Sequence, residues 1–164
     1  MCRIVQIKLK TMDASTLKYQ LTGLAEAKMS SSSAWGGRLA LNCLPVSMEM
    51  LQYAKETWPD ARVAIGHIRF KDRSPMPAEY ATSLLKFTDC PSSSTEFHAW
   101  IVLDSNDLLD MVAPSFAPAG SGTENRRFVD QEAADEDGIT YTEVITDPVD
   151  VMRFYEALKK LRPA

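Results

Sequence analysis

The run Phe97–Met111, FHAWIVLDSNDLLDM, constrains the fold more than any other stretch of the chain. Two apolar segments flank a polar turn, which is the pattern of a β-hairpin, and strands joined this closely run antiparallel. Side chains alternate between faces along a strand. His98, Trp100 and Val102 therefore share one face, and Phe97, Ala99, Ile101 and Leu103 share the other. The face taken by Asp110 depends on the loop. A four-residue loop, Asp104–Asp107, pairs Leu103 with Leu108 and sets Asp110 opposite Ile101. A three-residue loop, Asp104–Asn106, pairs Leu103 with Asp107 and sets Asp110 opposite Trp100, diagonally next to His98. The shorter loop is favoured. It puts Asn106 where a left-handed residue is needed, and asparagine is the best non-glycine choice there. It also avoids burying a lone carboxylate between Ile101 and Leu103, which is costly.

The rest of the chain supplies helices and further strands to pack against this hairpin. Period-two alternation marks a strand at Arg3–Lys10. Ala61–Phe70, mostly β-branched or apolar, reads as a second strand, and Ile139–Asp147 as another. A helix is expected after Asp13 or Ser15, with Leu17, Leu21 and Leu24 at helical spacing, ending before the turn-rich Ser30–Gly37. A second helix starts near Cys43, with Pro45 in its first turn, where a missing N–H costs little. Its apolar face is Met50, Leu51, Ala54 and Trp58, and Pro59 closes it. A short helix is expected around Glu79–Phe87. The best-signalled helix begins at Asp147 as N-cap with Pro148 first, and carries Val151, Phe154, Tyr155, Leu158 and Leu161 on one face. The small, polar, acidic stretch Ala113–Gly138 reads as a long surface excursion with about one helical turn. The order predicts an α+β fold, a mainly antiparallel sheet packed against helices. At 164 residues, 1–164 should form a single domain.

The composition narrows the function. A formal net charge of −4 and no dense Lys/Arg surface argue against nucleic acid as a partner. No apolar run approaches bilayer-spanning length, so no membrane partner is expected. The alternating N-terminus lacks the apolar core of a signal peptide, which makes the cytoplasm the expected location. Cys2, Cys43 and Cys90 are odd in number, far apart and in no CxxC pair. They predict free thiols, with neither a disulfide framework nor a zinc site, and no cofactor is expected.

One constellation stands out. A carboxylate beside a histidine orients the ring and stabilises the imidazolium. Such a pair needs something to deprotonate, and Cys43 is the candidate. It precedes Pro45 at a helix start, where the helix dipole favours a thiolate. The chain order is Cys at a helix start, His on a strand and Asp on the neighbouring strand. The segments NC at Asn42 and Cys43, the strand ARVAIGHIRF, HAWIVL and LLD together resemble the transglutaminase-like branch of the papain-like thiol enzymes over Leu41 to about Met111.

That resemblance implies a papain-like or transglutaminase-like core, with Cys43 as nucleophile, His98 as general base and Asp110 as the orienting acid. The glycine-rich lead-in usual before the cysteine is missing, and DMVAP stands where DPT is usual. The Cys43 backbone N–H is the natural first oxyanion donor. Gln20, Trp35 and Asn42 compete for the second, and Trp100 is a pocket candidate on the His98 face. His67, with Arg69 on its face, reads as structural or as part of the site's rim. The implied reaction is hydrolysis or acyl transfer at an amide or ester bond through a thioester. The implied partner is a peptide, amide or small acyl substrate. Lys71–Thr95 and Ala113–Gly138 would flank the cleft. The alternative is a non-catalytic binding protein on the same scaffold.

Overall fold

The computed structural model describes residues 42–70, 78–89, 96–104, 107–110, 112, 128–136 and 138–161. The elements in order are α1 (Cys43–Lys55), β1 (Arg62–Phe70), α2 (Ala78–Lys86), β2 (His98–Val102), β3 (Asp107–Leu109), β4 (Phe128–Asp130), α3 (Gln131–Glu136), β5 (Ile139–Ile145) and α4 (Pro148–Leu161). The strand expected at Arg3–Lys10 and the helix expected after Asp13 lie outside the described residues, as do Gln20, Trp35, Cys2, Cys90 and Asn106.

The five strands form one sheet in the order β4-β3-β2-β1-β5, and every neighbouring pair is antiparallel. The fold is therefore α+β. In the hairpin, Ile101 faces Leu109 and Val102 faces Leu108. The Leu103 N–H donates to the Asp107 carbonyl at 2.8 Å. This is the register of the three-residue loop, so Asp110 follows the strand on the His98 face.

The two sheet faces are unequal. One carries Val63, Ile65, Ala99, Ile101 and Leu109, and buries them under α1, α2 and α4. Phe87 of the turn after α2 stacks on Phe154 of α4 at 4.1 Å between ring centroids. Phe97 meets Phe154 edge-on at 5.0 Å. Such aromatic pairs contribute about 0.5–1.5 kcal/mol each beyond the area they bury. The opposite face is smaller. Ala64, Trp100, Val102 and Leu108 cluster there with Ile139 of β5 and Ala134 of α3.

The helix ends follow their local chemistry. The Asp147 carboxylate accepts the Val149 and Asp150 amides at 2.9 and 3.3 Å, capping α4 as expected. Val151, Phe154 and Leu158 are buried on its inner face, together with Ala157. Helix α1 stops at Lys55, short of Trp58, because the Thr57 and Trp58 amides both turn back to the Ala54 carbonyl. Trp58 still joins the core from the turn.

The excursion at 113–138 carries more structure than its composition suggests, since it holds β4 and α3. α3 is the helical turn expected there, whereas β4 escapes the hydrophobic pattern. β4 spans three residues, too few to show a period, and α3 spans six residues with Ala134 as its buried contact. Gly138 leaves α3 with φ 76°, a left-handed turn that glycine adopts without steric cost. Helix α2 is the short helix expected around Glu79–Phe87.

Candidate active site

Cys43 is the first residue of α1. An α-helix leaves its first N–H groups without intrahelical partners, so the Cys43 thiol sits at the end of the helix where backbone donors point outward. The Asn42 side chain does not cap them. Residues four apart share a helix face, which places Ser47 one turn below Cys43. The buried Ser47 hydroxyl donates to the Ala99 carbonyl at 3.2 Å. Ala99 follows His98, so this bond ties the cysteine helix to the histidine strand at the point where the two side chains must meet.

His98 opens β2 opposite Gly66 of β1. Its ring is 2.6 Å from Asp110, through Nε2 and Oδ2. Cys43 lies close enough to the same ring to favour its charged form. The structure thus brings together the three residues that the sequence singled out, and all three are buried: 3 %, 5 % and 1 % exposed for Cys43, His98 and Asp110.

A buried carboxylate is tolerated when its oxygens are satisfied. Oδ1 of Asp110 accepts the Val112 amide at 2.9 Å. Oδ2 accepts both His98 and the Tyr141 hydroxyl, the latter at 2.9 Å. Burial alone would push the His98 imidazolium toward deprotonation. The Asp110 charge and hydrogen bond, aided by Cys43, outweigh it and raise His98 from 6.5 to about 10. The ring therefore favours the imidazolium at neutral pH, held against the Asp110 carboxylate.

This has a consequence for stability. A histidine with a raised native pKa contributes stability that is complete below its unfolded value of 6.5 and is lost as pH rises through about 10. In a Cys43→Ser background, where the thiol's own proton does not enter, the urea midpoint is expected to fall between pH 6.5 and 9.5. The steepest slope one proton allows is about 1.4 kcal/mol per pH unit. Adding His98→Gln should flatten the curve; an equally steep fall without the imidazole would show that His98 is not its source. His67 does not confuse the reading. Burial, then the Arg69 charge, lower its pKa, so it acts on the acid side of this window.

The surroundings of the three residues are equally defined. Trp100 is fully buried and stacks on His98 at 5.8 Å, so it backs the imidazole from within the sheet. Its indole Nε1 has no hydrogen-bond partner among the described residues. Asn42 is buried directly before Cys43. On the neighbouring strand, Arg69 Nε donates to His67 Nε2 at 3.1 Å, and the His67 ring lies 4.7 Å from that of Tyr80. The Tyr80 hydroxyl donates to the Glu96 carbonyl at 2.6 Å and points to the Gly66 carbonyl at 3.5 Å. It thereby braces the chain just before His98 and the residue opposite it. Burial, with Glu96 and Cys43 nearby, raises Tyr80 to about 12.

No family model, curated protein or solved structure matches the chain. Among the described residues, no group of three or more His, Cys, Asp or Glu is placed to hold a metal ion. No described helix is long and apolar enough to cross a membrane. Ser47, Tyr80 and Tyr141 are the contributors that sequence reasoning missed. Each is a common residue in an ordinary helix or strand pattern, and its role emerges only from which element packs on which.

Proposed function

We propose that this chain is a thiol enzyme acting on an amide or ester bond, by hydrolysis or acyl transfer, on a core of the transglutaminase-like kind. The observation that carries this reading is the buried His98–Asp110 contact at 2.6 Å, with Cys43, the first residue of a helix, close enough to act on the same ring. Cys43 is the nucleophile. Its sulfur attacks the carbonyl carbon, and the tetrahedral oxyanion faces the Cys43 backbone N–H. The imidazolium of His98 gives its proton to the departing amine or alcohol as the C–N or C–O bond breaks, leaving a thioester on Cys43. Neutral His98 then takes a proton from water or an acceptor amine, which attacks the thioester and releases the acyl product and the thiolate. Asp110 holds the ring and balances its charge throughout. This chemistry requires a reduced thiol, which fits work in the cytoplasm on a peptide, amide or small acyl substrate.

Near-complete burial of Cys43 and His98 favours a second reading, in which the same three groups are a satisfied core network of a binding protein. Alkylation separates the two. An ordinary cysteine, with a pKa near 8.5, is only about 0.3 % thiolate at pH 6. Iodoacetamide at pH 6 followed by peptide mapping is expected to label Cys43 ahead of Cys2 and Cys90, by up to about a hundredfold. His98→Asn should erase the preference. Equal, slow labelling of all three cysteines would sink the enzyme reading.

A further inference from the structure

Oδ2 of Asp110 carries two donors that compete for one oxygen. The first is His98 Nε2 at 2.6 Å and the second is the Tyr141 hydroxyl at 2.9 Å. Tyr141 is no sheet neighbour of Asp110. It lies on β5, opposite Ile68 of β1, whereas Asp110 follows β3, and both β1 and β2 stand between them in the sheet. Its ring crosses the small face, meeting Trp100 edge-on at 5.0 Å. The hydroxyl is thus brought to the carboxylate by the sheet as a whole. We propose that Tyr141 is a positioning residue of the triad, holding Asp110 and limiting how tightly the carboxylate binds the His98 proton.

The proposal rests on the thiol-enzyme reading for its purpose but not for its physics. A hydrogen bond to a carboxylate strengthens as the carboxylate's charge becomes less compensated. The Tyr141–Asp110 bond is therefore stronger when His98 is neutral than when it is an imidazolium. It favours the neutral ring, and so eases the proton out of His98 at the step where the leaving group needs it. Among the described residues, the titratable groups that act on His98 include Asp110 after β3, Cys43 from α1 and His67 from β1, with Tyr141 acting through Asp110. Of these, only Tyr141 opposes Asp110 through Asp110's own oxygen.

The sign of the effect makes the test decisive. Ring-nitrogen NMR can follow His98 directly, because His67 is the only other histidine and His67→Gln assigns the pair. Tyr141→Phe keeps the ring against Trp100 and removes only the hydroxyl. It is expected to move the His98 titration upward by about half to one pH unit. Asp110→Asn is expected to move it downward. If Tyr141→Phe proves unstable, 3-fluorotyrosine at position 141 keeps the shape and strengthens the donor, and should move the titration downward. A His98 titration that Tyr141→Phe leaves unchanged or lowers, or one unmoved by the fluorinated ring, overturns the proposal. Because the readout is protonation and not turnover, these outcomes are distinct from a failure of Cys43 to label.

Discussion

Asp110→Ala is expected to lower the stability of the fold by about 3–5 kcal/mol, the range for removing one partner of a buried ion pair. The carboxylate is 1 % exposed and accepts from His98, Tyr141 and the Val112 amide. Truncation to a methyl leaves an imidazole, a phenol and an amide buried without that acceptor. The ring dominates the cost, since without the Asp110 carboxylate burial drives it to give up its proton and the ion pair is lost. Asp110→Asn retains an amide oxygen for one or two of the donors and should cost less, about 1–3 kcal/mol. Chemical denaturation measures both. The Asp110→Ala, His98→Ala double variant should be less unstable than the sum of the two single changes, because it leaves neither partner buried without the other. A loss below about 1 kcal/mol for Asp110→Ala would show that the carboxylate does not hold a buried charge.

The hairpin was legible from the sequence because two independent constraints agree on its register. Asn106 suits the end of a three-residue loop, and a lone carboxylate between Ile101 and Leu103 would be penalised. The observed pairing of Ile101 with Leu109 satisfies both. Helix α4 was legible for a similar reason: the Asp147 cap, Pro148 at the first turn and an apolar stripe all give the same boundaries. Where a single weak cue acts alone, as in the three residues of β4, the element stays hidden in the acidic stretch around it.

The site divides along the same line. Cys43, His98 and Asp110 carry unusual chemistry, so each is conspicuous before any fold is known. Tyr141 is not. In ITYTEVI it is one more aromatic residue in an alternating strand, and nothing local tells which partner it faces. Its meeting with Asp110 depends on the order β3-β2-β1-β5, a property of the whole sheet. The Ser47–Ala99 bond depends likewise on α1 lying across β2, 52 residues further along the chain. Sequence periodicity assigns a residue to a face; only long-range topology decides what that face meets.

Gly66 brings these threads together, and Gly66→Ala is expected to destabilise the protein by about 3 kcal/mol, the upper range of overpacking in a closed core. Gly66 faces His98 across the β1–β2 ladder, and the β1–β5 register shifts between Ile65 and Gly66. A methyl group added there would run into the backbone carbonyl of Thr142 and come within 3.1 Å of the Trp100 ring. The ring edge can yield, but the carbonyl belongs to the paired strand and moves only if β5 moves. Tyr141 precedes Thr142, so displacing β5 also draws the phenol away from Asp110. Displacing Trp100 presses on the imidazole it stacks against. The substitution should therefore weaken Cys43 labelling at pH 6 as well as lower the denaturation midpoint, although Gly66 bears no side chain of its own. Trp100→Phe added to Gly66→Ala should restore only part of the loss, because the Thr142 carbonyl still blocks the methyl. A Gly66→Ala protein within about 0.5 kcal/mol of the parent, the range of an ordinary surface substitution, would show that the two strands part there without strain.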